Sequence, residues 1–307
     1  MIMTGKIEPQ GIVELKAEDI FPFCSLDPFD FGCVREIGIK GHCKGSTERA
    51  GRHISTAPLF DQGIHNLENL VQEGTIAPRD FKVRFDGCEV VSTRLQIVPP
   101  PHLAVFRYGV TYFDECKEDM NRSKEDAVKL MKLGTEFHED QGYFLARGMG
   151  AVVLPMTSDR KIVIGVRNSM EYDGAIHGPA GWLTFSQDVE KISPLNDAYR
   201  ELQEELAVSA SDVESMYLMG AVAYRKTLET DVIYFARLNK PSAYFESGAW
   251  KEAVDAKEHR ELILLSTPDE INQLVTLGKP PKDNRKFKVL DSTHYGLSVL
   301  RDCYRHI

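Results

Sequence analysis

Three glutamates near the middle of the chain have the types and spacing of a metal-binding cluster. They lie in residues 200–205, which read RELQEE. An α-helix turns by about 100° per residue, so Glu204 and Glu205 lie within about 60° of Glu201 on the helix surface. Carboxylates this close repel one another and raise each other's pKa. The cluster therefore predicts a hard divalent cation, Mg²⁺ or Mn²⁺, because such ions prefer carboxylate oxygen and bridge to phosphates.

The helix that carries these acids is predicted to bury its other face. Leucine and alanine side chains fall on the opposite side, at Leu195, Ala198, Leu202 and Leu206. Ser193 suits the N-cap and Pro194 the first turn, so we expect a helix over residues 194–208. An acid-rich face is also common on a solvated surface helix, so the six residues alone leave that alternative open.

The elements around this helix favour the metal site. Residues 151–156 and 161–166 are apolar runs joined by a polar turn, which predicts a hairpin of two buried strands. A loop rich in glycine and proline follows at residues 174–181, and then comes the acidic helix. Further elements are predicted C-terminal to it: strands at 216–223, 232–238 and 262–265, and helices at 249–257, from Thr267 onward and at 292–304. This interleaving predicts a mixed α/β or α+β layer fold.

The N-terminal part of the chain reads differently. Residues 1–75 give mixed signals, with one candidate helix at 66–73 and no assignable function. Strands are predicted at 81–85, 90–98 and 103–113, with Asp86-Gly87 as a turn, and a helix follows at 124–137 with Ser123 as its N-cap. We therefore expect a β-rich N-terminal extension over residues 1–145 and a second unit over 146–307.

Composition bounds the function. The chain has 307 residues and a formal net charge of -9, which disfavours general binding to nucleic acid. It has neither the apolar core of a signal peptide nor a run long enough to cross a bilayer, so we expect a cytoplasmic protein. The six cysteines show no CxxC spacing and are read as reduced thiols. A zinc site at Cys24, Cys33, Cys43 and His42 stays open, although its intervals are irregular.

The segment RELQEE resembles the REUxEE core of the Nudix box, in which U is a bulky aliphatic residue, and Gly181 resembles the glycine that opens the box. The resemblance implies an α/β/α sandwich with a mixed sheet. It also implies metal binding by Glu201, Glu204 and Glu205, and hydrolysis of a nucleoside diphosphate linked to another group.

The sequence departs from the box at three points. The interval from Gly181 to Arg200 is five residues longer than usual. Ile192 stands where the upstream glutamate is expected, with Glu190 as the nearest acid. Ala207 replaces the glycine that ends the helix.

One branch of the family is a closer match. Residues 109–114, Asn121 and residues 143–146 resemble the hydrolases of UDP-glucose and UDP-galactose, which also carry a β-rich N-terminal extension. This likeness spans about residues 80–265 and implies a UDP-sugar substrate. ADP-ribose or a dinucleotide is the alternative substrate, and a catalytically silent nucleotide-binding module is the alternative of another class. A homodimer also stays open.

The hypothesis assigns the remaining roles by chemistry. Water attacks a phosphorus atom, and a carboxylate accepts its proton. The candidate catalytic acids are Glu204, Glu205, Glu258 and Glu261. Cations and ring systems near the loop are expected to contact the nucleotide, at Arg167, Gly181, Trp182 and Arg225, with Tyr172 and Lys226 as further candidates.

Overall fold

The computed structural model describes residues 34–36, 40–42, 81–92, 102–169, 172–184, 192–281 and 283–304. Four strands of the N-terminal part form one sheet: β1 Val34–Glu36, β2 Lys40–His42, β3 Phe81–Ser92 and β4 His102–Tyr112. Strand β4 pairs in parallel with β1 and β2, and antiparallel with β3. The candidate helix at 66–73, Cys24, Cys33 and Cys43 lie outside the described residues.

The predicted turn at Asp86-Gly87 is wrong. Strand β3 runs through these residues, and its register with β4 shifts between Phe85 and Gly87. The pair therefore forms a β-bulge, in which one extra residue bends a strand without ending it. Two helices follow β4, α1 Phe113–Asn121 and α2 Lys124–His138. Ser123 caps α2, as predicted, by accepting a hydrogen bond from the backbone N–H of Asp126.

A second, mixed sheet has seven strands: β5 Met149–Met156, β6 Ile162–Arg167, β7 Ile176–His177, β8 Ala180–Trp182, β9 Val213–Ala223, β10 Thr230–Leu238 and β11 His259–Leu265. The main order is β11-β6-β5-β10-β9. Strands β5 and β10 are parallel, whereas the other pairings are antiparallel. The mixed sheet confirms the predicted fold class.

The predicted hairpin of β5 and β6 is forked. The two strands pair at Met156 and Ile162, next to their turn. Farther along, β8 pairs with β5 and β7 pairs with β6, so the loop of glycine and proline inserts between them. This fork places Gly181 beside the acidic helix, at one end of the sheet.

Helices cover both faces of the mixed sheet. The acidic helix, α3 Pro194–Leu206, packs Ala198, Leu202 and Leu206 into one apolar core. The opposite core receives α5 Pro268–Leu277 and α6 Asp291–Cys303. These layers form the expected α/β/α sandwich. The helical stretch predicted at 249–257 is instead two short 3₁₀ turns, Ala249–Glu252 and Ala256–Glu258, which follow the short helix α4 Ser242–Glu246.

Strand β3 also contacts the second sheet. The backbone of Lys82 forms an isolated antiparallel β-bridge with Thr184, and that of Arg84 forms one with Gly148. Val83 and Phe85 are buried in the core that holds α3. The proposed unit boundary at residue 145 stays a prediction. Within the described parts of the chain, we found no helix with the length and apolar character needed to cross a membrane.

Candidate active site

A cavity of about 670 Å³ lies where α1, α3, the β7–β8 loop and the start of β10 meet. Its walls carry many charged side chains. The cations are Lys82, Lys117, Arg167, Arg200 and Lys257, and the acids are Glu201, Glu204, Glu229, Asp231, Asp255 and Glu258. The predicted acidic helix therefore borders a cavity whose walls carry both acidic and cationic side chains.

Glu205 is the most deeply buried member of the acid triplet, with 1 % of its surface exposed. Its Oε1 accepts hydrogen bonds from Nη1 of Arg167 at 3.3 Å and from the backbone N–H of Ala180 at 3.2 Å. Its Oε2 lies 2.5 Å from Nε2 of His259. Glu205 thus lies behind the cavity wall and is held by partners on β6, β8 and β11.

Glu201 and Glu204 both form ion pairs with Arg200. Arg200 contacts both carboxylates at 2.6 Å, through Nη2 to Glu201 and through Nη1 to Glu204. The pKa of Glu201 is raised to about 8. Burial is the largest cause and Glu205 and Glu204 act in the same direction, whereas Arg200 lowers the pKa. Gly181 makes room for this carboxylate, because a Cβ atom at position 181 would collide with Oε1 of Glu201. The glycine therefore leaves space on β8 for the Glu201 carboxylate in its present position.

Arg167 joins the triplet to the loop that precedes β11. Its Nη2 donates to Oε2 of Glu258 at 2.5 Å, while its Nη1 donates to Glu205. Burial raises the pKa of Glu258, Arg167 lowers it, and Glu205 raises it. Glu258 lines the cavity and is only partly buried. It is therefore an acid within reach of a molecule in the cavity.

The donor set fits a hard divalent cation by its chemistry, since Glu201, Glu204, Asp255 and Glu258 present only carboxylate oxygens to the cavity. Their arrangement differs from the prediction. Among the described residues, no three acidic, histidine or cysteine side chains converge on one point as metal ligands. Protein cations supply the counter-charge instead, Arg200 for Glu201 and Glu204, and Arg167 for Glu205.

A second wall of the cavity is a hydrogen-bonded row. The hydroxyl of Tyr224 donates to Oδ2 of Asp231 at 2.8 Å and lies 3.0 Å from Oγ of Ser292. Oγ of Ser292 in turn lies 3.1 Å from Nε2 of His177. Burial raises the pKa of Asp231 and lowers that of His177 well below its usual value. Glu229, directly before β10, completes this wall.

Residues of the N-terminal part form a third wall. Phe113 and Trp182 meet edge to face, with ring centroids 5.2 Å apart. Nζ of Lys117 lies 5.2 Å from the centroid of Phe113 and 5.3 Å from that of Trp182. Lys82 lies 5.8 Å from the centroid of Phe113. Thus β3 and α1 complete the cavity.

The structure gathers most of the predicted site residues. The cavity is lined by Arg167, Tyr172, Gly181, Trp182, Glu201, Glu204 and Glu258, and Glu205 lies directly behind it. Three other predicted residues do not line the cavity. Nζ of Lys226 instead donates a hydrogen bond to the backbone carbonyl of Met120. Glu261 pairs with Arg285 at 2.7 Å, and Arg225 is exposed in the turn after β9, where its neighbour Tyr224 lines the cavity instead.

Sequence reasoning missed His259, Glu229 and Asp231. The alternation of Glu229 and Asp231 across Thr230 is a signal that could have identified two acids on one side of a strand. His259 has no such local signal. Ile192, at the position expected for an upstream glutamate, is a buried apolar residue, and Glu190 lies outside the described residues.

No family model and no curated protein matches this sequence. Similar solved structures include a Nudix hydrolase from M. smegmatis, which is 14% identical with a TM-score of 0.33 over 52% of this chain and 88% of its own. A NUDIX-family hydrolase from Clostridium perfringens is 11% identical, with a TM-score of 0.34 over 52% and 99%. A C. elegans Ap4A hydrolase is 13% identical, with a TM-score of 0.29 over 40% and 83%. The function proposed below rests on the cavity and its residues.

Proposed function

We propose that this chain is a metal-dependent hydrolase of the Nudix type. Its substrate is a nucleoside diphosphate linked to a sugar, such as UDP-glucose, and its products are a nucleoside monophosphate and a sugar phosphate. One observation carries the proposal: Glu201 and Glu204 of RELQEE line a cavity whose walls also supply lysines and arginines. Carboxylates that hold a cation, together with basic side chains, suit a diphosphate.

The charge of the cavity supports an anionic ligand despite the net charge of -9. Lys82, Lys117 and Lys257 line it together with Arg167 and Arg200. Arginine binds phosphate oxygens through two parallel N–H groups, whereas lysine acts as a compact point charge. Both kinds of cation therefore lie where a diphosphate would need neutralising.

Glu201, Glu204 and Glu205 would hold Mg²⁺ or Mn²⁺, with the cation taking over the counter-charge that Arg200 supplies to two of them. A bound divalent cation lowers the pKa of water and neutralises phosphate oxygens. Glu258 is the base of this proposal, because it lines the cavity and burial raises its pKa toward the range useful at neutral pH. Water oxygen bonds to phosphorus, the bridging P–O bond breaks, and Glu258 takes the water proton.

Arg167 orients that base. Its guanidinium bonds to Glu258 and Glu205 at once, so the proposed base and the most buried acid of the triplet are fixed to one planar group. A planar guanidinium holds carboxylates in a defined direction better than lysine does. We propose a cytoplasmic enzyme whose partner is this small nucleotide, with a homodimer as a further proposal.

A catalytically silent nucleotide-binding module is the second candidate. It is favoured by the internal ion pairs, since Arg200, Arg167 and His259 already satisfy the acid triplet. A module that only binds a nucleotide needs no exchangeable counter-charge. The two candidates differ in turnover and share the binding of a nucleotide.

A substrate panel separates them. The protein is incubated with UDP-glucose, ADP-ribose and a dinucleoside polyphosphate, each with and without Mg²⁺, and nucleoside monophosphate is measured. We expect release from UDP-glucose that depends on Mg²⁺. Release from ADP-ribose or the dinucleotide instead would keep the enzyme and change its substrate. Binding without release from any compound would leave the silent module.

A further inference from the structure

Glu229 is a buried acid in the wall of the cavity. Its surface is 4 % exposed, and its Oε2 accepts a hydrogen bond from Oγ1 of Thr227 at 3.1 Å. Its Oε1 is buried and has no hydrogen-bond partner in the described part of the chain. A buried polar atom without a partner destabilises the folded chain. One carboxyl oxygen of Glu229 therefore lacks a hydrogen bond, on a wall that the proposed mechanism does not use.

Asp231 extends the same wall. It lies two residues beyond Glu229, so both side chains leave the same side of the chain where β10 begins. Gly150 on the neighbouring strand permits this position, because a Cβ atom there would lie 2.5 Å from Oδ1 of Asp231. The hydroxyl of Tyr224 fixes the other oxygen at 2.8 Å. Two carboxyl groups and a hydroxyl thus face the cavity from one side.

Lys117 connects this wall to the aromatic pair. Burial is the largest cause that raises the pKa of Glu229 to about 8, and Asp231 also raises it, whereas Lys117 lowers it. The same ammonium lies within 5.3 Å of the ring centroids of Trp182 and Phe113. Acceptors of hydrogen bonds, a cation and an apolar ring edge therefore meet in one part of the cavity wall.

We infer that Glu229 and Asp231 bind the hydroxyl groups of the sugar in the proposed substrate. The inference rests on the proposed function and assigns the group beyond the diphosphate to this wall. Sugar hydroxyls donate hydrogen bonds and require acceptors, while an apolar sugar face packs on a ring.

The test measures binding in EDTA, where no metal supports turnover, by titration calorimetry. The ligands are UDP-glucose and the methyl ester of UDP, which has the same nucleoside and diphosphate but a methyl group in place of the glucose. Wild type should bind UDP-glucose about tenfold tighter, as expected for one or two hydrogen bonds. Glu229→Leu should remove most of this preference and leave the affinity for the methyl ester unchanged. Glu229→Gln, which keeps an acceptor oxygen, should retain part of it.

Glu252→Gln is the matched control, because Glu252 is exposed and distant in sequence from the wall. Equal binding of the two ligands by wild type would overturn the inference, and so would an equal loss for both ligands in Glu229→Leu. Thermal melting verifies that each variant folds, and Glu229→Gln keeps the shape of the side chain if the leucine does not fold. A preference for UDP-glucose, with no hydrolysis in the substrate panel with Mg²⁺, would contradict the hydrolase and support binding of the sugar by Glu229 and Asp231. Hydrolysis in Mg²⁺ without this preference would support the hydrolase and overturn the inference. No binding of either ligand in EDTA would also overturn the inference, because hydrogen bonds to the sugar do not require the metal.

Discussion

Nε2 of His259 lies 2.5 Å from Oε2 of Glu205, with both side chains almost completely buried. The histidine comes from the first residue of β11 and the glutamate from the acidic helix. The other oxygen of Glu205 accepts from Arg167 and from the backbone of Ala180. The most buried acid of RELQEE is therefore fixed in place from three strands.

Replacing His259 tests this arrangement. We expect His259→Ala to lower the free energy of unfolding by about 1–3 kcal/mol, because a buried carboxylate loses a partner. Urea denaturation measures the change. His294→Ala, at a partly buried position of α6, is the control and should change stability less. If the proposed enzyme is active, kcat should fall more than KM rises, since His259 positions Glu205 without reaching the cavity. Equal stability of both variants would contradict the arrangement.

Glu204 offers the cleanest test of the acidic face. It lines the cavity and is the most exposed acid of the triplet, so Glu204→Gln should leave the fold intact. We expect hydrolysis to fall about 100-fold, which is in the range for loss of a charge that acts in the transition state. Steady-state rates at saturating Mg²⁺ measure this, with Glu252→Gln as a surface control. Unchanged rates for Glu204→Gln would remove this residue from the mechanism.

The buried acid Glu229 predicts a dependence of stability on pH. Its pKa is raised to about 8 in the folded chain, against 4.5 in the unfolded chain. Folding therefore takes up a proton between these values, so this contribution is complete below about pH 4.5 and is lost as the pH rises to about 8. Glu229→Gln cannot titrate. We expect its urea midpoint, compared with that of wild type, to gain from pH 5 to pH 8.5.

The comparison with wild type isolates Glu229 from other titrating groups. His177 acts in the opposite direction, since burial holds its pKa well below the usual value. Both proteins retain His177, so its effect cancels in the difference between their midpoints. A difference that stays constant from pH 5 to pH 8.5 would contradict the raised pKa of Glu229.

Ala207 predicts a stabilising substitution. It ends the acidic helix in the left-handed region at φ 53°, and its N–H bonds to the carbonyls of Gln203 and Leu202. Alanine tolerates this conformation less well than glycine does, so Ala207→Gly should raise the free energy of unfolding by about 1 kcal/mol. Thermal unfolding measures the gain. A loss of stability would mean that the helix does not end in this conformation.

Local patterns predicted the acidic helix well. The face of Glu201 and the buried face of Leu202 and Leu206 follow from helical periodicity, and Ser193 caps the helix as expected. The helix end was harder to predict, because the Ala207 position adopts a glycine-like conformation without a glycine. The periodic spacing of residues therefore predicted the helix. Its end depends on backbone strain at Ala207, which the residue type alone does not reveal.

Long-range pairing limited the prediction of the site. Glu258 and Glu261 were equivalent candidates in sequence, but β11 begins between them, at His259. The strand carries Glu261 away to Arg285, while Glu258 stays at the cavity. His259 reaches Glu205 because β11 pairs with β6, and this contact joins residues 54 positions apart. Such contacts depend on the order of strands, which a periodic pattern does not contain.

The central claim is water attack on a diphosphate with a metal held by the RELQEE helix. The most direct measurement uses UDP-glucose in ¹⁸O-labelled water with Mg²⁺, followed by mass spectrometry of the products. We expect uridine monophosphate and glucose phosphate, with one ¹⁸O atom in one of them, and no product when EDTA replaces Mg²⁺. Absence of both products, or the same yield in EDTA, would contradict the claim.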